Sequence, residues 1–80
     1  MQTSKQPQSH KFSKGELVRW FERYADGFAI RDAGIGVIVD IKKYSYKSLD
    51  GEVYEYANFA VYRNNFNDII TLSEHDLESL

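Results

Sequence analysis

Two stretches with apolar residues at every second position constrain the fold of this chain most. The first, 33–46, reads AGIGVIVDIKKYSY, and the second, 51–63, reads GEVYEYANFAVYR. A period of two is typical of β-strands, because successive side chains point to opposite faces of a sheet. The short polar link KSLD between the stretches predicts that they pair as an antiparallel hairpin.

The register of this hairpin follows from its two faces. The dipeptide Asp50-Gly51 is typical of a two-residue turn, but that turn would mix core and surface residues on each face. A longer loop over 47–51, which places Tyr46 opposite Glu52, keeps them apart. Since a slip of one residue exchanges the faces of a strand, the face pattern takes priority over the local turn signal.

The longer loop predicts that odd-numbered residues of both strands point into a hydrophobic core. The inward pairs are Val37 with Val61, Val39 with Phe59, and Ile41 with Ala57. A chain of 80 residues forms one domain and buries only about 60% of its unfolded surface. Large inward side chains are therefore essential to its stability.

The even-numbered residues form an outward face that is rich in tyrosine. Its predicted members are Lys42, Tyr44, Tyr46, Tyr54, Tyr56 and Tyr62. Tyrosine is enriched at the energetic centres of protein interfaces, so this set predicts a surface that binds a protein partner. A structural role is the alternative, because cross-strand aromatic pairs each stabilise a hairpin by about 0.2–1 kcal/mol. We also expect a cation–π contact between Lys42 and Tyr56.

The segment before the hairpin predicts one strand and one loop. GELVRWF, at 15–21, is rich in strand-forming residues and would place Val18 and Trp20 on one face. A helix over 16–25 is the alternative, because apolar residues also recur there at helical spacing. The lack of a good helix N-cap favours the strand.

The loop is predicted at 23–34, where turn-forming residues occur at 26–27 and 32–34. Phe28 and Ile30 alternate with polar or small neighbours, so we expect both to fold back over the strands.

The last twelve residues, 69–80, predict a strand, one helical turn and a short final strand. Ser73 is typical of a helix N-cap, and Asp76 three positions later would complete a capping box. The residues expected to point into the core are Ile70, Leu72, Leu77 and Leu80.

These elements together predict an all-β fold, a small SH3-like barrel of four to five strands with one short helical turn before the last strand. Closing the barrel would remove the exposed edges of the sheet. We expect this domain to cover 12–80. The segment 1–11 is polar and contains the only proline, so it predicts a disordered N-terminal arm.

Composition excludes several classes of protein. The absence of cysteine excludes disulfides and thiolate metal sites. No apolar run reaches the roughly 18 residues of a membrane span, and the N-terminus lacks the apolar core of a signal peptide. We therefore expect a soluble, intracellular protein. The formal net charge is −2, and because the first eleven residues hold two lysines and no acidic residue, the remainder carries −4.

No residue pattern points to catalysis, a cofactor or a metal. Ser73, His75 and Asp76 lie too close in sequence to form a catalytic triad. His10 and His75 lack partners at metal-ligand spacing. The Gly-Ile-Gly at 34–36 is a fragment of a phosphate-binding motif, but a strand rather than a helix follows it. We interpret it as a bulge or tight bend.

Four motifs, KGELVRW, GIGVIVDI, YANFAVYR and DIITLSEHDLESL, occur in an order that resembles a family of small SH3-like proteins of unknown function. These are encoded by tailed bacteriophages, especially the contractile-tailed phages of marine cyanobacteria. The matching positions are Gly15, Leu17, Val18, Gly34, Gly36, Val37, Val39, Phe59, Val61, Tyr62, Asp76, Leu77 and Glu78. The resemblance covers 12–80 and implies the fold, but it transfers no functional residue.

The resemblance and the tyrosine face together predict a non-enzymatic module for protein–protein interaction or a structural, accessory role. Its expected partner is a phage or host protein, in the host cytoplasm or on the virion, and no membrane is involved. A second copy of the chain is another candidate partner, because a sheet face can pair with itself.

The order of strands is also similar to KOW modules and to the small stromal subunit of photosystem I. A KOW-like nucleic-acid-binding module is therefore the alternative function, with Lys42, Lys43 and Lys47 beside the aromatic rings. The negative charge of 12–80 argues against it, because binding to phosphates normally needs a basic surface.

Overall fold

The computed structural model describes residues 12–80, so the predicted arm at 1–11 lies outside the described residues. The chain forms five strands, with one turn of 3-10 helix before the last of them. The strands are β1 (Leu17–Arg23), β2 (Ile30–Lys47), β3 (Val53–Arg63), β4 (Asp68–Ser73) and β5 (Leu77–Ser79), and the 3-10 turn is Glu74–Asp76. The all-β class and the single helical turn are confirmed. No helix in 12–80 is long and apolar enough to cross a membrane.

The five strands form one antiparallel sheet in the order β4-β3-β2-β1-β5. Within the described residues, β4 and β5 are the two edges of this sheet and do not pair with each other. The sheet is therefore not closed into a barrel.

One face of the sheet, the inner face, carries the hydrophobic core. Its buried side chains are Phe12, Val18, Trp20, Ile38, Ala57, Phe59, Val61 and Leu77, with Ile41, Ile70 and Leu72 packed against them. The strand at β1 is confirmed and its helical alternative is wrong. Leu80 was expected in the core but is exposed, because β5 ends at Ser79.

The two inward glycines of β2 make room for the indole ring of Trp20. A Cβ atom on Gly34 would lie 2.8 Å from Trp20 Cζ2, and one on Gly36 would lie 2.5 Å from the backbone oxygen of Tyr62. Gly34 pairs regularly with Trp20 across the sheet. The interpretation of 34–36 as a bulge is therefore wrong: Trp20 approaches Gly34 closely, and Tyr62 and Val61 of β3 approach Gly36 closely.

β2 has a bulge at Val39 instead, in addition to an unpaired Arg31 near the end of β1. Ile38 is opposite Val61 and Asp40 is opposite Ala60, so Val39 is an extra residue without a partner. Even-numbered residues point inward before the bulge, and Ile38 is only 1% exposed. The predicted inward positions of Val37 and Val39 are therefore wrong, because the prediction assumed unbroken alternation.

The hairpin between β2 and β3 has the predicted five-residue loop, displaced by one position to 48–52. Gly51 adopts a φ of +92°, and the backbone N–H of Glu52 donates to Asp50 Oδ1. The hydrogen bond from Ser48 lowers the pKa of Asp50.

Beyond the bulge, the faces of the hairpin are as predicted, but each pair is displaced by two residues. Phe59 is opposite Ile41, and Ala57 is opposite Lys43. The inward positions of Ala57, Phe59 and Val61 are confirmed.

Two local predictions near the ends of strands are wrong. The region 30–34 belongs to β2, and Phe28 is 84% exposed rather than folded over the sheet. In the 3-10 turn, Ser73 makes no side-chain cap, and Asp76 accepts a hydrogen bond from Arg23 Nε at 2.7 Å. This long-range ion pair replaces the predicted capping box.

Candidate functional site

The hairpin of β2 and β3 extends beyond the rest of the sheet. The neighbouring strand β1 pairs with β2 only as far as Val37, and β4 pairs with β3 only from Asn58 onward. The segment 42–57, called the ribbon below, is therefore a two-stranded structure. A two-stranded hairpin is marginally stable on its own in water, so its own cross-strand contacts matter.

Four tyrosines stack in pairs on one face of the ribbon and form what we call the tyrosine ladder. Tyr44 lies opposite Tyr56 with ring centroids 5.1 Å apart, and Tyr46 lies opposite Tyr54 at 5.3 Å. Tyr46 also makes an edge contact with Tyr56 at 6.3 Å. The four residues remain 41–55% exposed, so the rings contact each other and still present surface to a partner.

The opposite face of the ribbon is mostly polar or charged. It carries Lys43, Ser45, Lys47, Val53 and Glu55, all exposed. Solvent reaches both faces, yet only one of them is aromatic. The ribbon is therefore amphipathic although no core residue within 12–80 covers its aromatic face.

Tyr62 and Lys42 lie on the same outer side of the sheet but outside the ladder. Tyr62 is separated from the ladder by Asn58 and Ala60, and its hydroxyl donates to Asn67 Oδ1 at 2.8 Å. Lys42 is opposite Asn58, not Tyr56. Among the described residues, the cation–π contacts belong to Arg63 and not to Lys42. The structure thus brings together four of the six predicted residues.

A second exposed apolar surface lies at the other end of the outer face. Leu17, Val37, Tyr62 and Ile69 form one row across four strands, and Ile35 lies in the next row. We call Leu17, Ile35, Val37 and Ile69 the aliphatic patch. An open groove of about 640 Å³ runs along Leu17, Ile35 and Val37 of this patch, beside Tyr62. Sequence reasoning missed it because Val37 was placed inward.

Polar residues separate the ladder from the aliphatic patch. Asp40 is opposite Ala60, and Lys42 is opposite Asn58 in the adjacent row. The three polar residues, Asp40, Lys42 and Asn58, are called the polar waist. Together with Tyr44, Ala60 and Thr71 they line a groove of about 240 Å³. The outer face therefore has an aromatic end, a charged centre and an aliphatic end.

A buried arginine lies on the inner side, at the end of β3. Arg63 donates from Nε and Nη2 to the two carboxylate oxygens of Asp68, at 2.8 and 2.6 Å. Its guanidinium packs over the rings of Trp20 and Phe66, at 4.8 and 4.1 Å from their centroids, and the two rings also contact each other edge to face. The hydrogen bonds to Asp68 raise the pKa of Arg63 and lower that of Asp68.

The Arg63 cluster is best explained as part of the fold. Arg63 Nη1 and Trp20 Nε1 are buried without hydrogen-bond partners, but Nη1 lies 3.6 Å from Glu22 Oε1. Three acidic residues therefore act on this cation, two as ion-pair partners and Asp32 from farther away. No residue type in the sequence singles out this arrangement, because its members are distant along the chain.

Of the residues weighed for catalysis and metal binding, His10 lies outside the described residues, and the others lie around the 3-10 turn. Ser73 precedes the 3-10 turn that contains His75 and Asp76, and the Asp76 carboxylate is paired with Arg23. In the part of the chain that the structure describes, no group of three or more histidine, cysteine or acidic side chains could hold a metal ion. No family model, curated protein or solved structure matches the chain.

Proposed function

We propose that this protein is a non-enzymatic docking module that binds a protein partner through the tyrosine ladder, in a structural or accessory role. The ladder itself carries the proposal. Its four tyrosines, about half exposed, lie on one face of a ribbon that extends past the core. Burying them against a partner would remove a large aromatic surface from water.

Tyrosine suits such a surface for two physical reasons. Each ring offers a large apolar area at a low cost in side-chain entropy, and its hydroxyl can still form a hydrogen bond. Stacking within the ladder also restricts the rings before a partner arrives, which reduces the cost of ordering them on binding. Stabilising the ribbon and presenting a binding surface are therefore compatible roles for the same four residues.

We further propose an SH3-like relationship for the fold. The order of the five strands, with a 3-10 turn between β4 and β5, is the support for it. A phage origin, a phage or host partner, and a place in the host cytoplasm or on the virion rest on the sequence resemblance alone.

The distribution of lysines favours a protein partner over a nucleic acid. Lys43 and Lys47 lie on the face of the ribbon opposite the ladder, so only Lys42 shares a surface with the stacked rings. Nucleic-acid binding through stacking needs cations beside the rings to contact the phosphates. The tyrosine ladder lacks that combination.

Affinity capture with the purified protein tests the proposed function. We expect the wild type to retain a specific protein from a lysate of the cells that produce it, and Tyr44→Ala and Tyr54→Ala to lose that protein. Tyr24→Ala is the matched control, because Tyr24 is 53% exposed but lies in the turn after β1, away from the ribbon.

Circular dichroism and urea unfolding of each variant would separate loss of binding from loss of fold. The proposal is wrong if the wild type retains no specific protein, or if the ladder variants retain it as well as Tyr24→Ala does. Retention that disappears with nuclease and falls steeply with salt would instead identify a nucleic-acid binder.

A further inference from the structure

We infer that the outer face binds a second copy of this chain, with the two copies antiparallel about a two-fold axis between their sheets. The axis lies in the plane between the two sheets, crosses the strands at right angles to β3, and passes over the polar waist. This inference rests on the proposed function, because it uses the tyrosine ladder as half of the contact surface.

The spacing of residues along β3 carries the geometric argument. Counting from Phe59, Asn58 and Ala60 lie one residue to either side, and Tyr56 and Tyr62 lie three residues to either side. Rotation about the proposed axis exchanges these positions. The row of Tyr56 and Tyr44 on one copy then covers the row of Tyr62 and Val37 on the other.

The same rotation matches the remaining apolar residues. The second row of the ladder, Tyr46 and Tyr54, is five residues from the centre of β3 and falls over the row that contains Ile35. Each ladder would therefore cover the part of the other copy's aliphatic patch that lies on β2, Ile35 and Val37, and the two contacts are identical by symmetry. Two sheets packed in this way keep their strands within about 30° of each other.

The charges of the waist select this orientation. Asp40 and Lys42 are two residues apart on β2 and point to the same outer face. With the axis between them, Lys42 of each copy lies over Asp40 of the other, so two opposite-charge pairs form. An axis along the strands would instead place Lys42 over Lys42 and Asp40 over Asp40. Like charges facing each other disfavour that parallel arrangement.

A charge-exchange series measured by sedimentation equilibrium tests the inference. We expect the wild type to dimerise, and Asp40→Lys or Lys42→Asp to raise the dimer dissociation constant by at least about tenfold, because each single change juxtaposes like charges. The double variant Asp40→Lys/Lys42→Asp restores both opposite-charge pairs and should return the constant to within about threefold of the wild-type value. Circular dichroism of each variant controls for folding.

Three results would overturn the inference. The first is a wild type that stays monomeric up to about 1 mM, which corresponds to a binding free energy weaker than about 4 kcal/mol. The second is a dimer whose dissociation constant does not change with the single charge reversals. The third is a double variant whose dissociation constant does not return toward the wild-type value. Lys42 makes no ion pair in the described residues, so Lys42→Asp is the safer single variant should Asp40→Lys fail to fold. A monomeric protein that still captures a foreign partner through Tyr44 and Tyr54 would refute only the self-association.

Discussion

The body of the sheet and the ribbon share two strands but are stabilised in different ways. In the body, Trp20 and Phe59 are buried, and neighbouring strands cover both edges of β2 and β3. In the ribbon at 42–57, only Ala57 is buried, and the main contacts are stacked pairs of exposed tyrosines. Global stability therefore depends on the body, while the ribbon can serve binding with little effect on the free energy of unfolding.

Truncating one aromatic residue in each region should give the largest contrast. Phe59→Ala removes a fully buried ring and should lower the free energy of unfolding by about 3–5 kcal/mol. Tyr54→Ala, on the same strand but in the ribbon, should cost about 1 kcal/mol or less. Urea unfolding measures both, and equal losses would show that the ribbon is part of the cooperative core.

The glycines beneath Trp20 should give the next largest effect. Gly36→Ala places a Cβ 2.5 Å from a backbone oxygen, whereas the Cβ of Gly34→Ala meets the Trp20 side chain at 2.8 Å. We expect each change to cost about 1–3 kcal/mol of unfolding free energy, with Gly36→Ala the more costly because a backbone atom yields less easily. A larger loss of unfolding free energy for Gly34→Ala than for Gly36→Ala would mean that the indole ring of Trp20 cannot shift.

The ion pair of Asp68 with Arg63 should give a smaller, pH-dependent effect. The hydrogen bonds from Arg63 hold the pKa of Asp68 below its usual value of 3.8. The charged carboxylate is thus favoured in the folded state, so its stabilisation is complete well above pH 3.8 and is lost as the pH falls through the lowered pKa.

Asp68→Asn should therefore lower stability at neutral pH and reduce its further loss in acid. Urea unfolding of the wild type and the variant at a series of pH values below 7 measures this difference. Two curves separated by the same amount at every pH would contradict the assigned role of the carboxylate.

The smallest effect is expected for coupling within the tyrosine ladder. A double-mutant cycle with Tyr44→Ala and Tyr56→Ala should yield about 0.2–1 kcal/mol of interaction energy. Hydrogen exchange of the ribbon amides is the suitable measurement, because local opening reports on the ribbon separately from global unfolding. The control cycle pairs Tyr44 with Tyr54, which lie diagonally across the strands and make no ring contact with each other, and it should show coupling near zero.

The sequence was sufficient to predict the order of strands along the chain and the faces of β3, but not where β2 begins. Alternation along 53–63 identified Phe59 and Val61 as inward residues and the tyrosines as outward residues, and both assignments are confirmed. The same rule failed in β2, because counting by two cannot detect one inserted residue. Gly34, which lies opposite Trp20, was the available signal, since a large ring needs a partner without a side chain.

The candidate site was predictable only where its residues are close along the hairpin. The ladder comes from two adjacent strands, so its members could be grouped before the register was known. The aliphatic patch combines Leu17 from β1 with Ile69 from β4, and it emerges only when the order of strands is fixed. Arg63 was missed for the same reason, since Trp20 and Glu22 reach it from a distant part of the chain.

The unpaired Val39 has a consequence for how this protein could change. Deleting Val39 would leave every inward and outward assignment on either side intact, because the remaining residues already alternate across the gap. The deletion would instead alter the direction of β2 beyond this point, since a bulge bends its strand and increases the local twist. The angle at which the hairpin leaves the sheet is thus adjustable by a single codon, with the same side chains facing the core on either side.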